Sequence, residues 1–167
     1  MDYYGRLTIA GLVPIVMASS PLGAQQELAV KGNVADFVRE YVVEHGSDTT
    51  YEMDGTKIPA KHRRLSGDNL DLTIFEMGGV PYLVVSTTIA NQSVNKGRLT
   101  VDLIDKAPEK GSYVDTILDE VMVQEGNGHK QRVDLSGPPV ARGYQSNLDA
   151  LLSVARSRIE KLSRSKH

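Results

Sequence analysis

Residues Leu70–Leu103 read LDLTIFEMGGVPYLVVSTTIANQSVNKGRLTVDL, and this stretch decides the fold. Leu70, Leu72 and Ile74 alternate with Asp71 and Thr73, the period of two that sends alternate side chains to opposite faces of a strand. Gly78-Gly79 supplies a two-residue turn, because glycine reaches the positive φ that tight hairpins require. Val80 to Ala90 is a β-branched run, and Leu99, Val101 and Leu103 alternate with Thr100 and Asp102 beyond the turn-forming NQSVNKG. Three consecutive antiparallel strands, a meander, are expected. The apolar face of such a sheet needs a cover, which helices provide.

The flanking sequence supplies those helices. Asn33 reads as an N-cap, followed by Val34, Phe37, Val38, Tyr41 and Val42 at helical spacing, with Asp36, Arg39 and Glu40 opposite and Gly46 as the stop. Thr49–Asp54 reads as a short strand closed by an Asp54-Gly55 turn, and 59–69 (PAKHRRLSGDN) as a polar loop. Ser112 heads a second helical stripe through Tyr113, Val114, Ile117, Leu118, Val121 and Met122. GNG at 126–128 breaks it, Lys130–Leu135 is a further strand, and SGPPVARG is a loop. A last helix from about Ser146 carries Leu148, Leu151, Leu152, Ala155, Ile159 and Leu162 in one stripe. The expected architecture is α+β in two layers: an antiparallel sheet built on a three-strand meander, with helices packed on one face.

At 167 residues, 40% hydrophobic and 24% charged, the chain suits a single domain, placed at 33–164, with 165–167 as a tail. The N-terminus is different in kind. Leu7–Ala18 (LTIAGLVPIVMA) carries no charge, follows Arg6, and leads to Ser19-Ser20-Pro21 and a small residue at Ala24. That is the pattern of a secretory signal peptide or N-terminal anchor at 1–24, with 25–32 as a linker. The run is short for a spanning helix of roughly 20 residues, and Pro14 and Pro21 interrupt it. The competing reading is a buried apolar N-terminus in a cytosolic regulatory protein. With no cysteine, disulfides, thiol catalysis and thiolate metal sites are excluded. Asn91-Gln92-Ser93 is a glycosylation triplet.

Net charge is only −2, but it is unevenly spread: residues 1–128 hold 11 Lys/Arg against 18 Asp/Glu, and residues 129–167 hold 8 against 3. Arg156, Arg158, Lys161 and Arg164 edge the last helix and are the candidate partner-binding residues, for a protein partner or an anionic surface. A second basic group, Lys61-His62-Arg63-Arg64, falls in the polar loop. Neither group has interleaved aromatic residues, so nucleic acid is not expected as a partner. Membrane contact is expected only through the N-terminal segment.

Catalytic signals are weak. No serine stands in a G-x-S-x-G elbow, and neither glycine pair precedes a helix as a phosphate cradle would. The four histidines lack metal-ligand spacing, so neither metal nor cofactor is expected. Asp102 reads as the exposed side of its strand, and Asp119/Glu120 as the polar side of a helix. The remaining catalytic candidates are His62, His129, Asp68 and Asp71, an acid/base set only if folding brings them together. The sequence therefore favours a non-enzymatic binding or structural module, exported or tethered, over an exported carboxylate/histidine hydrolase or lyase.

Overall fold

A computed structural model describes residues 34–65, 69–90, 97–107 and 118–166. The order is helix α1 (Val34–His45), strands β1 (Ser47–Met53), β2 (Thr56–Leu65), β3 (Leu70–Met77), β4 (Val80–Ala90), β5 (Arg98–Lys106), β6 (Glu120–Glu125) and β7 (Gln131–Arg132), then helix α2 (Pro138–Arg164). The strands form one antiparallel sheet in sequence order. The expected α+β class with helices on one side holds, and the meander runs through all seven strands. Asp54-Gly55 and Gly78-Gly79 each place two residues at positive φ (50° and 78°, 62° and 77°). That backbone twist matches the right-handed twist of the strands these turns join.

One face of the sheet buries Leu70 and Leu72 of β3, Leu83 and Val85 of β4, Val101 and Leu103 of β5, and Val121 and Val123 of β6. Against it lie Ala35, Val38 and Val42 of α1, and Tyr144, Leu148, Leu151, Leu152, Ala155 and Ile159 of α2. Their spacing of three and four residues is what keeps one helical stripe inward. Each fully buried Leu, Ile or Val in this layer contributes roughly 1.5–3 kcal/mol. Arg39 is buried too, donating through its two terminal nitrogens to Asp36 (2.7 Å) and to Asp105 of β5. It pins α1 to the sheet.

The opposite face carries a second, smaller core of Tyr51, Met53, Ala60, Phe75, Val84, Ile104 and Met122. No helix among the described residues covers it; the sheet curls over it. In a flat sheet β1 and β7 would lie six strand spacings apart, about 29 Å. Yet Arg132 of β7 reaches Asp54, at the end of β1, at 3.0 Å, far closer than two side chains could manage across a flat sheet. Accumulated strand twist supplies the curvature. Ala60 is small enough for Tyr51 to pass over β2 and stack on Phe75, which stacks on Tyr82, with centroids 5.0 Å apart in both pairs.

Several local expectations are corrected. Most of 59–69 is strand: Pro59 stands just outside the β2–β3 ladder, which begins at Ala60, so its missing N–H interrupts no bond there. Glu120, Val121 and Met122 belong to β6, not to a helix; residues 112–117 of that expected helix lie outside the described residues, as do Asn33 and Asn91. SGPPVARG is not a loop: α2 begins at Pro138, with proline in its first turn, where a missing N–H costs nothing. Of the expected strand 130–135 only Gln131–Arg132 is strand, with the Val133 N–H donating to the Val121 carbonyl just beyond it (2.8 Å). Arg39 and Asp102, read as outward-facing, are 6% and 3% exposed.

Candidate functional site

On the concave face, cross-strand pairing lines up Arg64, Asp71, Ser86 and Asp102 in one row over β2 to β5. Asp102 is its centre of charge. It accepts hydrogen bonds from Ser86 Oγ (2.7 Å) and Tyr51 Oη (2.8 Å), and Lys130 Nζ lies 2.9 Å away. Lys130 also sits over the Tyr51 ring, 3.9 Å from its centroid, a cation–π contact. Burial, reinforced by the Asp102 charge, pushes the Tyr51 hydroxyl far above its ordinary pKa, so the phenol stays a donor. The Ser86 hydroxyl donates to a carboxylate that Tyr51 and Lys130 also engage. This cluster is built to hold β1, β4, β5 and the β6–β7 link together.

At the open end of the same row, His62 Nε2 meets Asp71 Oδ1 at 2.8 Å. Arg64 Nη1 lies 3.9 Å from Asp71 Oδ2, and Arg64 Nη2 donates to Asn69 (3.2 Å). The fold thus joins two of the four catalytic candidates. Asp68 lies outside the described residues, and His129 is exposed on the β6–β7 link with no hydrogen bond to the pair. Among the described residues no group of three or more His, Asp or Glu side chains is arranged to hold a metal.

The helix-side end of the sheet presents a different surface. Arg63, Arg64 and Leu65 of β2 face Arg158, Lys161, Leu162 and Ser165 around a cleft of ≈ 330 Å³. The α2 residues recur at intervals of three and four, so they share one helical face. A second cleft of ≈ 330 Å³ adjoins it through the shared residues Arg63 and Leu162, and adds Tyr41, Glu44 and His45 of α1 with Ser163 and Lys166. Arg63 donates to the His45 carbonyl oxygen at 3.5 Å, tying the end of α1 to β2. Leu162, 42% exposed, is the apolar floor between the two clefts.

Arg63, Arg158 and Lys161 bring cationic side chains to the first cleft, and no carboxylate among the described residues lines it; the Arg64 guanidinium is engaged instead by Asp71 and Asn69 on the concave face. Of the helix cations expected to bind a partner, Arg158 and Lys161 line this cleft. Arg156 instead pairs with Glu160 (3.0 Å) and sits 5.8 Å from the Phe37 ring, and Arg164 falls outside the lining. The contribution of Arg63 could not be read from sequence, since nothing local tells that residues about a hundred positions apart will meet. Alternation offered one missed signal: Arg63 and Leu65 share a face, as they must in a strand.

Among the described residues, no helix is long and apolar enough to cross a membrane. No protein-family model, no curated protein and no solved structure matches this chain.

Proposed function

We propose that this chain is a non-catalytic binding module, exported or tethered by its N-terminal segment, that holds an anionic protein partner at the basic cleft between β2 and the end of α2. The observation that carries this reading is that Arg63 of β2 and Arg158 and Lys161 of α2, from two distant segments, line one recess that no carboxylate among the described residues lines. The export part of the reading is supported by the uncharged run LTIAGLVPIVMA and its small-residue exit.

Fluorescence anisotropy with labelled polyglutamate tests the binding reading on the full chain. Binding is expected to weaken steeply as salt rises, because screening shortens the field to about 8 Å at physiological ionic strength. The pair Arg158→Glu and Lys161→Glu is expected to abolish it. No salt-sensitive binding, or turnover of a panel of ester, peptide and glycoside substrates above background, would overturn the reading. A mature start near Gln25 in the native protein is expected under export, and an intact Met1 in the cytosolic fraction would rule export out.

A second reading, a hydrolase or lyase, has one observation in its favour: the His62–Asp71 contact at 2.8 Å on an accessible part of the sheet. It requires a substrate turned over by the intact chain and not by His62→Ala.

A further inference from the structure

We propose that the free edge of β1 takes up an extended segment of another protein as an added antiparallel strand, and that this segment carries basic residues at both ends with a β-branched residue midway between them. β1 contributes no residue to the basic cleft, so this inference goes beyond the reading above and does not rest on it.

The edge is open along its backbone. β1 pairs only with β2, from Ser47↔His62 to Met53↔Thr56 around the Asp54-Gly55 turn. A two-residue turn makes Met53 and Thr56 a hydrogen-bonded pair, and bonded and unbonded pairs alternate from there. The N–H and C=O groups of Ser47, Thr49 and Tyr51 therefore point to β2, and those of Asp48, Thr50 and Glu52 point away from the sheet. No turn, loop or cap bond among the described residues uses the latter groups. Their side chains are exposed as well. Sheets ordinarily blunt such an edge with lysine, proline, a bulge or a very short strand. The β7 edge is two residues long. β1, SDTTYEM, runs seven residues with neither lysine nor proline and keeps a one-to-one register throughout. Backbone groups in this array are met by an extended chain. A helix cannot meet them, since its own N–H and C=O groups are bonded to each other.

Cross-strand charge selects the segment. Lys57 and Lys61 of β2 stand opposite Glu52 and Asp48. Lys61 meets Asp48 Oδ1 at 3.6 Å, yet the Asp48 side chain is 93% exposed, and an exposed pair of this kind is weak. A basic residue opposite each acid continues the alternation of sign from β2 through β1 to the added strand, where opposite charges stabilise and like charges destabilise. A β-branched residue suits the place opposite Thr50. Lys130 over the Tyr51 ring calls for a small uncharged residue there, and the Arg132–Asp54 contact ends the pairing at the turn. Opposite Glu52, Tyr51, Thr50, Thr49 and Asp48 in turn, the segment is thus basic, small, β-branched, unconstrained and basic. A second copy of this chain matches less well. Antiparallel pairing centred on Thr50 sets Asp48 against Glu52 twice over. The neighbouring registers either set Asp48 against Asp54 or leave Glu52 opposite Gly46, outside the strand.

The test is an NMR titration of the ¹⁵N-labelled full chain with blocked peptides centred on lysine-serine-valine-threonine-lysine. This peptide is expected to move the amide signals of Asp48, Thr50 and Glu52 downfield. Glutamate in place of both lysines should weaken binding about tenfold or more. N-methylation of the central valine, whose N–H faces the Thr50 carbonyl, should weaken it about tenfold. N-methylation of the threonine, whose N–H faces solvent, should be tolerated. The double variant Asp48→Lys, Glu52→Lys is expected to prefer the glutamate peptide while circular dichroism stays unchanged. If that variant does not fold, the four peptides on the wild-type chain still decide. Absence of binding, equal affinity for the lysine and glutamate peptides, or the same effect from both N-methyl groups overturns the inference. So does protection of the Asp48, Thr50 and Glu52 amides that grows with chain concentration in the absence of peptide, which would give the edge to a second copy.

Discussion

Asp102 and Asp105 stand three residues apart on β5 and point to opposite faces of the sheet, each into a buried polar cluster. Asp102 gathers Tyr51, Ser86 and Lys130. Removing it leaves two hydroxyls and an ammonium group without their acceptor. Asp102→Ala is therefore expected to cost about 3 kcal/mol or more, read from urea unfolding, with Asp102→Asn milder because it keeps an acceptor oxygen. Asp105 faces the helices. Burial pushes its carboxyl up to about 7, against the opposing pull of Arg39 and with help from Asp119 and Asp36. The native state thus holds a proton on Asp105 between pH 4 and 7, where the unfolded chain has released it. The stability from this group is full below about pH 4 and is lost as pH rises through about 7. Comparing urea midpoints across that range, Asp105→Asn should remove this downward component, and an unchanged pH profile would show that Asp105 is already ionised in the folded protein.

Among the elements, the β3–β4 hairpin offers the cleanest energetic test. Gly79 has φ +77°, and a Cβ added there would meet nothing within 4 Å. The cost of Gly79→Ala is then conformational alone, about 1–2 kcal/mol, and thermal unfolding should report it; a neutral substitution would mean that the turn relaxes to another type. That hairpin was legible in sequence because alternation and the Gly78-Gly79 turn agree. The same logic explains where reading failed. In β2, Lys61, His62, Arg63 and Arg64 are four polar residues in a row with no alternation to mark a period of two, and Pro59 suggests a break; the strand forms because β1 and β3 pair with it on either side. In β6, Val121, Met122 and Val123 are all buried, since both faces of the sheet are covered there. Such an unbroken apolar run looks the same in a strand as in a buried helix. At α2 the prolines of SGPPVARG mark the start of a helix as readily as a loop, and only the packing of Tyr144 into the core separates the two. The basic cleft was half legible: the two cationic groups were visible, and their meeting was not, because it depends on β2 being a strand.

Taken whole, the molecule is one sheet with a core on each side, and the two cores are closed by different means. The helix side is sealed by α1 and α2 packing on aliphatic strands. Among the described residues the concave side is sealed by curvature, and that curvature is held where the two ends of the sheet meet: Tyr51 with Asp102, Lys130 over the Tyr51 ring, and Arg132 with Asp54. These contacts are unequal. The Arg132–Asp54 pair is largely exposed and so is worth at most about 1 kcal/mol. Lys130 partners a carboxylate that is almost fully buried, so Lys130→Ala is expected to cost about 2 kcal/mol after discounting for its own partial exposure. The loss should be local before it is global, because β1 is an edge strand paired only with β2. Hydrogen exchange in Lys130→Ala should therefore show the amides of Tyr51 and Met53 losing more protection than those of Val84 and Leu103 at the sheet centre. Arg132→Ala should leave both sets close to wild type. Equal loss across β1, β4 and β5 would mean that the curl is a property of strand twist alone and that Lys130 does not hold it.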